Sequence, residues 1–379
     1  MGKPLCGIDN FLQQARHKEK RLALVTNNAA LTWQDIKSRE ALLQNNFNLV
    51  KLFSPEHGLS AAGADGSFQK NNMDGLTGLP VTSLYGEHLA PRAKDLEDID
   101  IVLFDIPDVG CRFYTYLWTM ENVMRSCAAF NTPLIILDRP NPLSGNILMA
   151  EGPMLDEECF SFLGKWNIPI KHSCTLGELA KYFAATKIKP LDLDIIKITN
   201  WQRDQIATWF TPTSPAIQNI TTALIYPGMG LLEGINVNEG RGTGKPFTSC
   251  GAPWINSEEL AHKFTQKNCK GVSVTPYSYK PTEGPYAGEV CNGIAFSITD
   301  EKELRPVATG IALLQTIIAL YPGDVKERLY PTRANPAGTN HLDKLLGIHH
   351  SFMKIKNGEE INTDTGNWKT VIEPFLLYR

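Results

Sequence analysis

The N-terminal part of the chain alternates short, almost purely apolar runs with longer amphipathic ones, and this alternation leaves few folds open to it. Leu22 to Thr26 is an apolar run ending in Asn27-Asn28, and Thr32 then caps a helical pattern through about Asn45. Leu49 to Phe53 reads as the next strand, followed by a glycine-rich loop from Ser54 to Gly78 and a third strand at Pro80 to Leu84. Ile99 to Asp105 is strongly apolar, Tyr114 to Phe130 has helical length and pattern, and Pro133 to Asp138 is another strand. Strands that alternate with helices in this way build a parallel sheet with helices on both faces. The expected architecture is α/β, a Rossmann-like parallel sheet.

The remainder is less regular. Thr175-Leu176-Gly177-Glu178 is a capping box, in which the hydroxyl and the carboxylate each satisfy a backbone N–H at the start of a helix. Leu193 to Ile198 reads as a strand, and a loop-rich stretch follows to Pro253. Asn256 with Glu259 starts a helix, Cys291 to Thr299 is a strand, and Arg305 to Leu320 is a long apolar helix. The division expected is a Rossmann-like N-terminal domain over residues 1–160 and a mixed α/β C-terminal domain over 161–379.

Composition removes several classes of function. Hydrophobic residues make up 42% of the chain and charged ones 20%, too apolar for a disordered polymer. Lys plus Arg is 37 against 40 for Asp plus Glu, so a net charge of -3 gives no electrostatic reason to expect nucleic acid as partner. Apolar stretches such as Ile311 to Leu320 fall short of the roughly 20 residues needed to span a bilayer, so no membrane span is expected. The eight cysteines are dispersed without a C-x-x-C pair, which reads as buried thiols rather than a zinc site or a disulfide framework. Met1-Gly2-Lys3-Pro4 opens no apolar signal segment, so the expected compartment is the cytoplasm, or the periplasm or exterior if a leader preceded it.

In an open parallel sheet, ligands bind beyond the carboxyl ends of the strands. Here those ends carry Glu56 and His57, then Asp105, Asp108, Arg112, Tyr114 and Tyr116, then Asp138, Arg139 and Asn141. A second cluster, Leu231 to Phe247, is dense in glycine around Glu239 and Arg241, which are two apart and share one face of an extended segment. Other readings fail. Gly244-Lys245-Pro246 lacks the Ser or Thr of a P-loop, Asn27-Asn28-Ala29 stands where a dinucleotide fold needs G-x-G-x-x-G, and neither G-x-S-x-G nor H-E-x-x-H occurs.

Several strings of this chain, in order, resemble those of the exo-acting β-N-acetylmuramidases of peptidoglycan recycling, the NamZ-type glycosidases formerly grouped as a domain of unknown function. They are Phe53-Ser-Pro-Glu-His-Gly58, Gly78-Leu-Pro-Val81 with Leu84-Tyr-Gly86, Asp105-Ile-Pro-Asp-Val-Gly-Cys-Arg-Phe-Tyr-Thr-Tyr116 and Leu137-Asp-Arg-Pro-Asn-Pro142. Thr175-Leu-Gly-Glu-Leu-Ala180, Tyr226-Pro-Gly228, Glu239-Gly-Arg-Gly-Thr243 and Gly251-Ala-Pro-Trp254 continue the series. The chain departs from the family at Ser214-Pro215-Ala216-Ile217-Gln218, where an amide and a proline are lost, and at Lys171-His172-Ser173-Cys174. The resemblance implies a Rossmann-like N-terminal domain, a smaller C-terminal domain, a cleft between them, and release of terminal N-acetylmuramic acid from non-reducing ends of muropeptides or disaccharides, with no cofactor or metal expected.

Glycoside cleavage needs an acid for the leaving oxygen and a group to meet the developing oxocarbenium ion. The resemblance points to Glu56 as the acid, with His57 orienting it or bonding a sugar hydroxyl. Asp105 or Asp108 is the candidate second carboxylate, unless the substrate acetamide serves instead, held by Tyr85, Tyr114 or Tyr116. Muramic acid carries a lactyl carboxylate, for which Arg112, Arg139 and Arg241 are the candidate cations, while Asp138 and Asn141 would bond hydroxyls. Two other readings stay open. Glu56, His57, Asp105, Asp108 and Asp138 could bind a divalent metal for phosphoester or amide hydrolysis, or the chain could be a non-catalytic binder of cell-wall sugars.

Overall fold

The computed structural model describes residues 4–14, 16–63, 72–188, 190–207, 210–332 and 335–378. Helix α1 (Gly7–Gln14) precedes a seven-stranded sheet made of β1 (Leu22–Thr26), β2 (Leu49–Ser54), β3 (Asn72–Met73), β4 (Pro80–Ser83), β5 (Ile101–Asp105), β6 (Leu134–Leu137) and β7 (Leu193–Ile196). Its spatial order is β3-β4-β2-β1-β5-β6-β7, parallel throughout except for β3 against β4. Without β3, the parallel strands run in the order of a doubly wound nucleotide-binding sheet, with the direction of winding reversing between β1 and β5. Every residue of β1 and β5 is buried, because helices cover both faces, and this is why both strands read as unbroken apolar runs. The crossovers carry α2 (Ser38–Gln44), α3 (Ala93–Leu96), α4 (Tyr116–Ala129) and α5 (Leu176–Thr186), the last opened by the expected Thr175 and Glu178 capping box.

The boundary expected at 160 falls too early. β7 extends the large sheet by pairing Leu134 to Leu137 with Leu193 to Ile196, so the chain through Ile196 belongs to the Rossmann-like unit. The second unit comprises α6 (Ile220–Met229), β8 (Ser249–Ala252), α7 (Ser257–Thr265), β9 (Val272–Tyr279), β10 (Cys291–Ile298), α8 (Pro306–Leu320) and α9 (His341–Leu346). Its three strands form an antiparallel sheet in the order β8-β10-β9. Two of its elements escape sequence patterning. β9 contains Pro276 and is largely exposed, which an edge strand tolerates, and α6 contains Pro227 and Gly228 inside what reads as loop.

One buried apolar cluster runs from Ala23, Val25 and Phe104 on the large sheet through Trp118 to Leu231 and Leu314, so the two units share a core. A smaller cluster under α1 and α2 covers the other sheet face with Ile8, Phe11, Leu42 and Leu103. Among the described residues no cysteine forms a disulfide, and seven of the eight are buried. Among the described residues, no helix is long and apolar enough to cross a membrane.

Helices α6 and α8 cross backbone to backbone. A Cβ on Gly228 would lie 1.9 Å from the Pro306 carbonyl oxygen, and one on Gly310 would lie 2.3 Å from the Gly228 carbonyl oxygen. Alanine at either position gains about 1 kcal/mol of helix propensity. Forcing the helices apart costs about 1–3 kcal/mol or more, so the clash wins. Gly310→Ala is therefore expected to lower the urea unfolding midpoint, and an unchanged or raised midpoint would show that the crossing relaxes freely.

Candidate active site

Beyond the carboxyl ends of β2, β4 and β5 lies a cavity of about 760 Å³ of open space, closed on its far side by the second unit. At the end of β2 the chain turns sharply, with His57 and Gly58 at φ 66° and 71° and the Gly58 N–H donating to Pro55 O at 3.0 Å. A β-strand that ends this abruptly presents Glu56 and His57, 7% and 5% exposed, to the cavity. The Thr115 hydroxyl donates to Glu56 Oε2 at 2.6 Å, and the Tyr85 hydroxyl hydrogen-bonds to the same carboxylate. Burial and the Glu56 charge push the Tyr85 phenol up, so it remains a proton donor.

His57 Nδ1 lies 2.7 Å from Gly63 O, and a carbonyl only accepts, so this nitrogen carries the proton. Burial lowers the His57 pKa, with the Glu56 charge and the Gly63 bond pulling the other way. The ring is thus neutral, pinned at one nitrogen and basic at the other. Tyr114 stands edge-on to Tyr116 at 4.8 Å and to Tyr226 at 5.9 Å, forming an aromatic wall with Phe113.

The opposite wall belongs to the second unit. Arg241 contacts Glu233 Oε1 at 2.5 Å and Glu239 Oε1 at 3.1 Å, while Arg328 holds Glu239 Oε2 at 3.2 Å. Two guanidinium groups thus neutralise two buried carboxylates. Burial first, then Glu239, pushes the Glu233 carboxyl up against the pull of Arg328, and Glu56 across the cavity adds to the rise. Arg328 lies over the Tyr330 ring, and Tyr330 stacks on His341 at 4.4 Å with 6° between the planes. Burial and then Arg328, Lys344 and Arg241 depress His341 to about 3, so its imidazole is neutral at working pH.

The structure brings Glu56, His57, Tyr85, Tyr114 and Arg241 together around the cavity. It does not bring the others there. Asp105 accepts from Arg139 Nε at 2.6 Å, and the pair is fully engaged across the strand ends, with Arg139 also reaching Ser38. Asp108 accepts from the Gly110 N–H at 2.8 Å, faces His172 at 3.5 Å, and with Arg139 borders a separate recess. Arg112 is wholly buried and donates to the carbonyls of Pro153, Ile168 and Leu345. The Tyr116 hydroxyl donates to Thr213 O and accepts from Asn27, outside the cavity. Asp138 is consumed by Thr175, Gly177 and Tyr378, Asn141 bridges Cys174 and Leu143, and Glu239 sits behind Arg241. The five side chains required for a metal-dependent hydrolase are therefore not gathered, since only Glu56 and His57 of that set face the cavity.

Residues not singled out from sequence complete the walls. Thr115 and Phe113 lie inside a string already noted, and Glu233 lies in the glycine-rich segment. Tyr330, His341 and Lys344 come from a stretch without any motif signal.

A buried carboxyl held by hydroxyls, aromatic walls and cations at the rim define a pocket of the kind that hydrolases of anionic sugars present. The chain belongs to the exo-β-N-acetylmuramidase NamZ family, whose N-terminal model matches residues 22–221 and whose C-terminal model matches 224–378. It is 36% identical to the peptidoglycan β-N-acetylmuramidase NamZ of Bacillus subtilis (strain 168), over 98% of this chain and 89% of that protein. Two crystal structures of DUF1343 family proteins from Bacteroides fragilis NCTC 9343 superpose with TM-scores of 0.88 and 0.77, each at 28% identity over 100% of this chain and 100% and 99% of theirs.

Arg241→Met would leave Glu233 without its cation in a buried site, a loss of about 3–5 kcal/mol in unfolding free energy. Adding Glu233→Gln is expected to restore part of that loss. Chemical denaturation of both single variants and the double variant measures the coupling, and strict additivity would refute the pairing.

Proposed function

We propose that this chain is an exo-acting glycoside hydrolase that releases terminal β-linked N-acetylmuramic acid from the non-reducing ends of peptidoglycan fragments. The observation that carries this reading is Glu56, buried at the strand-end turn of a family member with Thr115 and Tyr85 on its carboxylate. Acid catalysis uses Glu56 in its protonated form and leaves it ionised once the proton has been given up. The Thr115 hydroxyl can accept as well as donate, so it accommodates either state. Glu56 then gives its proton to the glycosidic oxygen as the bond to the anomeric carbon breaks; water adds to the oxocarbenium carbon left on the sugar, and the proton that this water loses restores the acid.

His57 assists by fixing the loop through Gly63. Tyr85 and Tyr114 provide the faces and hydroxyls against which the acetamide-bearing ring is oriented. Glu233, on the opposite wall, is the second carboxyl of the cavity, in place of Asp105 and Asp108. A reducing compartment, the cytoplasm, fits eight cysteines that form no disulfide among the described residues.

Glu56→Gln keeps the shape of the acid and removes its proton. It is expected to lower kcat on a chromogenic β-N-acetylmuraminide about 10²- to 10⁴-fold while substrate binding persists. Unchanged turnover would assign the acid elsewhere, and a wild-type protein that binds the sugar without turnover would make it a binding protein.

A further inference from the structure

The second unit contributes an imidazole that the chain itself does not satisfy. His341 is 4% exposed, lines the cavity, and neither of its ring nitrogens meets a hydrogen-bond partner among the described residues. A neutral imidazole carries one N–H and one lone pair, and burying both unmet is costly unless a ligand meets them. Its stacking on Tyr330 fixes the plane in which that ligand would be met.

The cations around His341 are not equivalent. Arg241 is engaged by Glu233 and Glu239, and Arg328 by Glu239, so their charges are compensated. Lys344 lines the same cavity one helical turn beyond His341, and its Nζ donates to the Thr339 carbonyl at 2.8 Å, with no carboxylate in ion-pair contact among the described residues. Asp343 acts on Lys344 through its charge, but its carboxylate accepts from the His350 and Ser351 N–H groups and the Ser351 hydroxyl, so this corner offers a cation without an ion pair and a directed donor, a combination that suits a carboxylate.

We propose that His341 and Lys344 recognise the lactyl carboxylate of N-acetylmuramic acid, Lys344 supplying the charge and the His341 N–H the direction. The inference rests on the reading of this chain as an N-acetylmuramidase, and it moves the role expected of Arg241 to α9. Arg241 instead holds the acidic wall together.

The test compares a chromogenic β-N-acetylmuraminide with its lactyl methyl ester, which has the same shape without the charge. Lys344→Met and His341→Phe, the latter keeping a ring against Tyr330, are each expected to reduce the acid-over-ester preference in kcat/KM about ten- to a hundredfold. An unchanged preference in both variants would overturn the proposal. So would loss of the preference in Arg241→Lys alone. Titration calorimetry with free N-acetylmuramic acid and its ester reads the same preference without catalysis. A wild type that binds the acid selectively without cleaving the muraminide would refute the muramidase reading and leave this recognition standing, whereas no selectivity in the wild type would overturn it.

Discussion

The architecture depends on one buried charge. Arg112 leaves the loop after β5, enters the apolar core, and finds carbonyl oxygens of Pro153, Ile168 and Leu345 rather than a carboxylate. Burial pushes its guanidinium down to about 10, still a cation at neutral pH, so the charge must be met by dipoles held in place. Those carbonyls lie on segments far apart in sequence, and one is in α9. A Cβ on Gly347 would come within 2.7 Å of the same guanidinium, so the chain after α9 must pass as glycine. The helix that carries His341 and Lys344 is thus located by the arginine next to the aromatic wall.

The same logic explains how the strand-end charges divide. The loops after β5 and β6 deliver Asp105 and Arg139 to one another, and Asp138 to hydroxyls and an N–H around α5. Once paired, these groups lock the loops at the winding reversal of the sheet and have nothing left for a ligand. The loops after β2 and β4, and the later part of the loop after β5 at Phe113 to Thr115, line the cavity instead, with His57 in a left-handed conformation.

This division accounts for what was legible in the sequence. The alternation of strand and helix announced the parallel sheet, and the strings following each strand announced which residues reach its carboxyl edge. Glu56, His57, Tyr85 and Tyr114 were found because local sequence places them. Asp105 and Glu56 carry the same kind of side chain at the same kind of position, and only the presence of Arg139 across the edge distinguishes a lock from a reagent. Tyr330, His341 and Lys344 were not legible, because their nearness to Glu56 is a product of the shared core and of Arg112. The edge strand β9 and the glycine-bearing α6 were hidden for a related reason, since what stabilises them is a neighbour rather than their own pattern.

The contact of Gly228 with Gly310 bears on how the enzyme would breathe. The family models meet at residues 221 and 224, near the start of α6, where a two-unit protein would ordinarily place a hinge. Here that junction is a helix seated on α8 with backbone meeting backbone at Gly228 and Gly310, and the apolar core continues across it. Such a joint behaves as a weld. Parting the walls as rigid bodies would expose that shared core, a cost that favours exchange of a sugar by movement of side chains and loops at the rim.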